Sequence, residues 1–260
     1  LRPRSSSVPL TVALNTTDYD SIAPNPYIED NFYWIRSAKD SLTADVLSCI
    51  FNSGDHEVQN ISCVTIITLN ITGNIQSSAF LFSSEEENPN FVALITQDQP
   101  TNLTIFNLTD GSSNVTADLS CNSLYQSSFT QNSYAFCLTA SNIVGWYLDD
   151  NLVPQTFVID NTVIQQDSFA PTQIVSSPGF ENVIFVSDSS NIYIINMAFS
   201  YTSNLQLLAT VPIDSSSNFV VSEKKIIVAT PPSKLYAYDI TNLKSPFTLN
   251  ANVTSNLNFK

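Results

Sequence analysis

Four cysteines, one histidine and a few clustered carboxylates are the side chains with which this sequence could do chemistry. The cysteines, Cys49, Cys63, Cys121 and Cys137, fall into two close pairs without a C-x-x-C. His56 is the one nitrogen ligand on offer, which argues against a zinc site. Two local bridges, Cys49–Cys63 and Cys121–Cys137, are the simplest of three pairings. Each would stabilise by about 3 kcal/mol on the chain-entropy model. Four buried thiols are the alternative. Any Ser-His-Asp triad would also have to use His56, which sits in the polar turn Gly54-Asp55-His56-Glu57 with no G-x-S-x-G elsewhere. We read it as an exposed loop residue.

The carboxylates group as Glu85-Glu86-Glu87, Asp149-Asp150 and Asp188. Paired acids of this kind perform glycoside hydrolysis when they converge on one mouth. Glu85–Glu87 precedes Asn88-Pro89-Asn90 and reads as a solvated turn. Asp149-Asp150-Asn151 and Asp188-Ser189-Ser190-Asn191 are oxygen-rich enough for calcium, but neither has EF-hand spacing and Asx turns account for both. No metal or cofactor is expected. Five glycines, with no Walker motif and no G-x-G-x-x-G, leave little material for a phosphate cradle.

N-linked glycans are expected at the acceptors Asn15, Asn60, Asn70, Asn102, Asn107, Asn114 and Asn252. Six of the first twelve asparagines lie in such triplets, against one of the last fifteen. The span 122–251 therefore reads as a bare surface free to make protein contacts, copies of the same chain included. The formal charge is −14, and no Lys or Arg occurs between Lys39 and Lys224. Such a surface repels nucleic acid and anionic lipid. No apolar run reaches about 18 residues, so no transmembrane helix is expected. Disulfides and glycans together imply a secreted or cell-surface location.

The elements that must position these residues are strands. Ile, Val, Phe and Tyr supply the apolar content, and no window keeps helical spacing for three turns. Val183-Ile184-Phe185-Val186-Ser187, a polar break and Asn191-Ile192-Tyr193-Ile194-Ile195 form one pattern. Lys225-Ile226-Ile227-Val228-Ala229-Thr230, a Pro-Pro break and Lys234-Leu235-Tyr236-Ala237-Tyr238-Asp239 repeat it 43 residues later. That is the length of one four-stranded β-propeller blade. The third strands of successive groups are expected to begin near Leu103, Ile143, Ile192 and Leu235. The first strands of the second to fifth groups are expected at Ala79–Ser83, Ser128–Thr130, Thr172–Ser176 and Phe219–Ser222. Second strands such as Val92-Ala93-Leu94-Ile95 are apolar throughout, as strands buried on both faces are. The fold class is thus all-β, a propeller-like array of about five visible blades. Two β-sandwich domains meeting near Ser120–Asn132 are the alternative. Residues 1–30 read as an N-terminal linker with one closing strand at Val8–Asn15 and a loop over Thr16–Asp30. Residues 31–260 are expected to form the propeller-like domain, and the chain is expected to be a segment of a longer protein.

Lys234-Leu235-Tyr236-Ala237-Tyr238-Asp239-Ile240-Thr241-Asn242-Leu243-Lys244-Ser245-Pro246 resembles the repeat of LVIVD-type β-propellers, in which an apolar strand runs into Asp-hydrophobic-Ser/Thr-Asn and a Ser-Pro turn. The resemblance covers some 13 residues. It implies a fold, often extracellular, with no fixed chemistry. In this sequence Asp239 and Asn242 would bond backbone amides of the turn. These features point to a non-enzymatic extracellular glycoprotein, a structural or interaction module of a surface, matrix or filament-forming assembly. The alternatives are a carbohydrate-active enzyme on the channel carboxylates and a lectin stacking sugars on Trp34, Trp146 or tyrosines. The sialidase-type Ser-x-Asp-x-Gly-x-x-Trp box is absent.

Overall fold

The computed structural model describes residues 19–243, apart from 39, 55–56, 84–88, 97–101, 117–120, 122, 129–132, 150, 178, 198–204, 216, 223 and 232–233. The expected strand at Val8–Asn15, together with His56, Glu85–Glu87, Asp150, Asn15 and Asn252, lies outside the described residues.

Up-and-down antiparallel sheets follow one another along the chain. The first holds β1 (Tyr19–Pro24), β2 (Asn31–Ser37), β3 (Thr43–Gly54) and β4 (Glu57–Asn70). The second holds β5 (Ile75–Leu81), β6 (Phe91–Thr96), β7 (Asn102–Asn107) and β8 (Ser113–Thr116). The third holds β9 (Leu124–Ser128), β10 (Ser133–Leu138), β11 (Ile143–Leu148) and β12 (Pro154–Ile159). A one-turn helix, α1 (Asn161–Ile164), leads to β13 (Gln173–Ser176), β14 (Val183–Ser187), β15 (Asn191–Asn196) and β16 (Gln206–Pro212). The fifth sheet holds β17 (Asn218–Val221), β18 (Lys225–Thr230) and β19 (Lys234–Asp239).

The sheets stand face to face in sequence order, and every seam between neighbours has its own apolar core. The second strands show why they lack alternation. Val92 and Leu94 of β6 enter the seam with the first sheet, while Ala93 and Ile95 enter the seam with the third. In β14, Ile184 and Val186 face the third sheet, and Val183 and Phe185 face the fifth. Both faces of a central strand are dry, so every position must be apolar. One core holds Ala79, Ala93, Ala135, Val144 and Trp146, on both sides of residues 120–132. That continuity excludes two sandwich domains parted there.

First strands lie next to one another, β1 beside β5, β5 beside β9, β9 beside β13 and β13 beside β17. They are stitched by side chains rather than by apolar runs. Tyr19 donates its hydroxyl to Ser78 Oγ (3.0 Å). The Leu124 amide donates to Ser77 Oγ (2.9 Å), and Gln126 Oε1 accepts the Phe80 amide (3.1 Å). Gln173 Nε2 donates to the Phe219 carbonyl (3.1 Å). These contacts join strands of different sheets, which places Ser and Gln where a strand is expected to be apolar.

Three expectations are corrected here. The stretch read as loop, Thr16–Asp30, contains β1, which pairs with β2 from Tyr19↔Ser37 to Pro24↔Phe32. Pro24 is tolerated because β1 is the edge of its sheet and needs no amide there. The first strand expected at Ala79–Ser83 runs from Ile75 to Leu81, and the one expected at Ser128–Thr130 is β9, Leu124–Ser128. With glycine scarce, left-handed turn positions are taken by Asp30, Asp40, Leu152, Gln165 and Asn182, with φ between 55° and 61°. Asp and Asn reach that region by bonding their own backbone.

Candidate functional site

The carboxylates sit at strand ends, and their geometry is that of turn formers. Asp149 Oδ1 accepts the amides of Asn151 and Val153, both at 2.9 Å, and Oδ2 accepts Gln155 Nε2 (2.9 Å). Asp188 Oδ1 accepts the amides of Ser190 (2.7 Å) and Asn191 (2.8 Å). The buried Tyr193 hydroxyl donates to Asp188 Oδ2 at 2.6 Å. Asp160 caps α1 by accepting the amides of Thr162 (2.9 Å) and Val163 (3.3 Å). Asp239 Oδ1 accepts both the amide (2.8 Å) and the hydroxyl (2.6 Å) of Thr241.

At Asp149, Asp160 and Asp239 these bonds stabilise the ionised form. The Val153 amide leads in holding Asp149 below the usual carboxylate range, and the Thr241 hydroxyl does so for Asp239. The Thr162 hydroxyl has the same effect on Asp160. Burial, helped by the bond to Asp188, pushes Tyr193 up to about 12. A glycosidase acid needs a carboxyl raised, not lowered. Position points the same way. Asp149 follows a third strand and Asp188 a second strand, and in sheets of the same up-and-down order those turns lie at opposite ends. The two do not converge. Among the described residues, no three His, Cys, Asp or Glu side chains are grouped to hold a metal ion.

The third-strand turn is a repeated device. Asn107 Oδ1 accepts the Thr109 amide (2.8 Å), just as Asp239 accepts that of Thr241. The next residue, Leu108, Met197 or Ile240, is buried. Its amide donates to a carbonyl just ahead of the second strand, that of Asn90 (2.9 Å), Asn182 (2.7 Å) or Lys224 (2.9 Å). Asx-apolar-Thr is thus a lock between a turn and its sheet.

Cys49 and Cys63 are bonded across directly opposed positions of β3 and β4, Cα–Cα 4.1 Å. Cys121 and Cys137 are bonded at 5.6 Å. Cys121 and Cys137 are buried, as is Cys49, whereas Cys63 is exposed. Of the asparagine acceptors, Asn70 and Asn114 are exposed and Asn107 is half-buried. The side chains of Asn60 and Asn102 lie outside the described residues. Acceptors described here belong to the first two sheets, and the span 122–251 corresponds to the other three. Trp146 is buried in the seam between the second and third sheets, which removes it as a sugar-stacking platform, and Tyr193 is buried too. Tyr147, Tyr236 and Tyr238 are half-buried, packed against the seam cores. Trp34 is half-buried on the outer face of the first sheet, where its indole N–H donates to Asp20 (2.8 Å).

Two features escape a reading of the sequence alone. The outer face of the first sheet gathers Phe32, Leu47, Cys49, Trp34 and Ile61. A groove of about 390 Å³ opens between the second and third sheets, and its walls include Phe91, Asn107, Asn114, Trp146 and Pro154. Neither is a sequence motif; each arises from register. Among the described residues no helix is long and apolar enough to cross a membrane.

No protein-family model matches the chain, and no curated protein sequence matches it. Solved structures do. Sqt1 of Chaetomium thermophilum, a β-propeller, superposes with a TM-score of 0.51 at 14% identity, over 84% of this chain and 55% of that one. The same protein bound to the N-terminus of the ribosomal protein L10 gives 0.52 at 13% identity, over 84% and 58%. The fold is that of a β-propeller. The chain spans a little over half the length of the solved structures it matches.

Proposed function

We propose that this chain is a non-enzymatic interaction module of an extracellular glycoprotein, a propeller whose sequon-poor sheets make protein contacts. The observation that carries the reading is the use made of the carboxylates. Asp149, Asp160, Asp188 and Asp239 each accept the amides of their own turn. These four side chains are therefore engaged as structure. Two disulfides support an oxidising compartment. The Asx-apolar-Thr turn at Asp239-Ile240-Thr241, echoed at Asn107-Leu108-Thr109, supports an LVIVD-type repeat. That Sqt1 binds a peptide from another protein supports a scaffold able to take protein partners.

The test is peptide mapping of protein recovered from its native source, under non-reducing conditions and before and after deglycosylation. The basic-free span calls for a Glu- or Asp-directed protease rather than trypsin. Both bridges and glycans confined to residues before 117, apart from Asn252, are the expected result. Free thiols with unmodified asparagines would place the chain inside the cell and overturn the reading. Glycoside hydrolysis that is abolished by Asp149→Asn or Asp188→Asn would replace it with an enzyme.

A further inference from the structure

The groove between the second and third sheets has an occupant written into its own wall. Cross-strand register fixes which residues face it. Phe91 pairs with Asn107, and Ile105 with Asn114, so all four point toward the third sheet. Trp146 and Pro154 form the opposite wall. In the other seams the fourth strand supplies apolar residues at this depth: Ile67 and Leu69 from β4, Phe157 and Ile159 from β12, Leu208 and Val211 from β16. β8 is only four residues long and presents Asn114 instead. Among the described residues the apolar filling of this seam therefore ends where an exposed asparagine stands in the triplet Asn114-Val115-Thr116.

We propose that this groove seats an N-linked glycan carried on Asn114, whose first sugars lie along Phe91 and Ile105 and close the outer end of the seam. The inference rests on the glycoprotein reading above. A sugar ring suits this site because its C–H face packs on an aromatic edge while its hydroxyls meet polar groups such as Ser112, Ser113 and Thr156 at the rim. Asn107 lines the same groove, but it is half-buried and its Oδ1 already accepts the Thr109 amide (2.8 Å). The exposed Asn114 is the anchor.

The experiment uses the full chain secreted from a eukaryotic host. Glycopeptide mapping follows a timed digestion with a peptide-N-glycosidase, in native buffer and after denaturation. Asn70, exposed at the end of β4, is the internal reference. The expected result is native release from Asn114 at least tenfold slower than from Asn70, with equal rates after denaturation. Equal native rates would overturn the proposal and leave the glycoprotein reading intact. Protection of Asn107 with ready release from Asn114 would overturn the assignment of the anchor. If neither Asn70 nor Asn114 is modified, both readings fall together. A second measurement uses Asn114→Leu, which fills the groove with an apolar side chain. It should match the glycosylated protein in Tm, whereas Asn114→Gln should melt several degrees lower. Equal Tm for the two variants would overturn the packing role.

Discussion

The first and fourth sheets build the same four-stranded meander and hold it in different ways. The fourth has strands of four to seven residues, and Val183–Ser187 at its centre is buried at every position. Neighbouring sheets cover both of its faces. The first packs against a neighbour on one face only among the described residues. Its hairpin strands reach 12 and 14 residues, with register shifts at Val46/Leu47 and Asn52/Ser53. On its outer face the order comes from local devices. A disulfide joins β3 to β4, Arg36 pairs with Asp45 (3.3 Å), and the Arg36 guanidinium lies 5.8 Å from the centre of the Trp34 ring. In the fourth sheet two dry faces bring apolar side chains to every position of the central strand; on the open face of the first, covalent and polar fastening holds the strands.

The sharpest way to break this contrast is a large deletion in the fourth sheet. Phe185→Ala should cost about 3–5 kcal/mol in urea unfolding, since the ring is fully buried. Trp34→Ala, at a half-buried site, should cost less than half of that. Equal costs would erase the distinction.

Removal of the first bridge, as Cys49→Ala with Cys63→Ala, should cost about 3 kcal/mol for a loop of this size. A low concentration of a small thiol should reduce this bridge before Cys121–Cys137, because the Cys63 sulfur belongs to an exposed residue and the other pair is buried. Differential alkylation followed by mass spectrometry reads the order. Reduction of both at one rate would show that the first sheet is covered in solution.

Gly145→Ala tests the seam between the third and fourth sheets. A Cβ there would stand 2.1 Å from the Phe157 ring. The ring must move, and the expected loss is about 1–3 kcal/mol, read as a lower urea midpoint.

Tyr193→Phe deletes the hydroxyl bond to Asp188 and should cost about 1 kcal/mol. It should also remove one of the late steps of an ultraviolet tyrosine titration, near pH 12, where Tyr27 ionises as well. This pKa is raised on folding, so its contribution is complete at neutral pH and is lost as pH rises from 10 toward 12.

The smallest effect is on the acid side. Asp149, Asp160 and Asp239 have folded pKa values below the ordinary 3.8. The folded state binds fewer protons, so stability is present at neutral pH and declines as pH falls through the carboxylate range. Asp239→Ala should flatten that decline slightly, as measured by urea midpoints at several pH values.

What was legible in the sequence follows from the same physics. Second and third strands announce themselves by unbroken apolar runs, which two dry faces demand in Val183–Ser187 and which Lys225–Thr230 repeats with one face dry. The 43-residue echo is the period of that demand. The turn Asp239-Ile240-Thr241 was readable because an Asx side chain bonds its own backbone nearby. The first strands β13 and β17 were legible to within a residue, whereas β1, β5 and β9 were not. Ser77, Ser78 and Gln126 join these three through hydrogen bonds to neighbouring sheets, and such bonds leave no hydrophobic period. The groove beside Asn114 could not be read at all, since it depends on which cross-strand partners share a face and on how soon β8 ends.

Both bridges are local to one sheet: Cys49 and Cys63 are 14 residues apart in a single hairpin, and Cys121 and Cys137 are 16 apart at the start of the third sheet. Ribosomes add about 5–20 residues per second, so the second member of each pair emerges within seconds of the first. Oxidation therefore need not wait for the array to assemble. Each bridge can be sealed while the next sheet is still being translated, so the growing chain commits to its order from the N-terminal side onward.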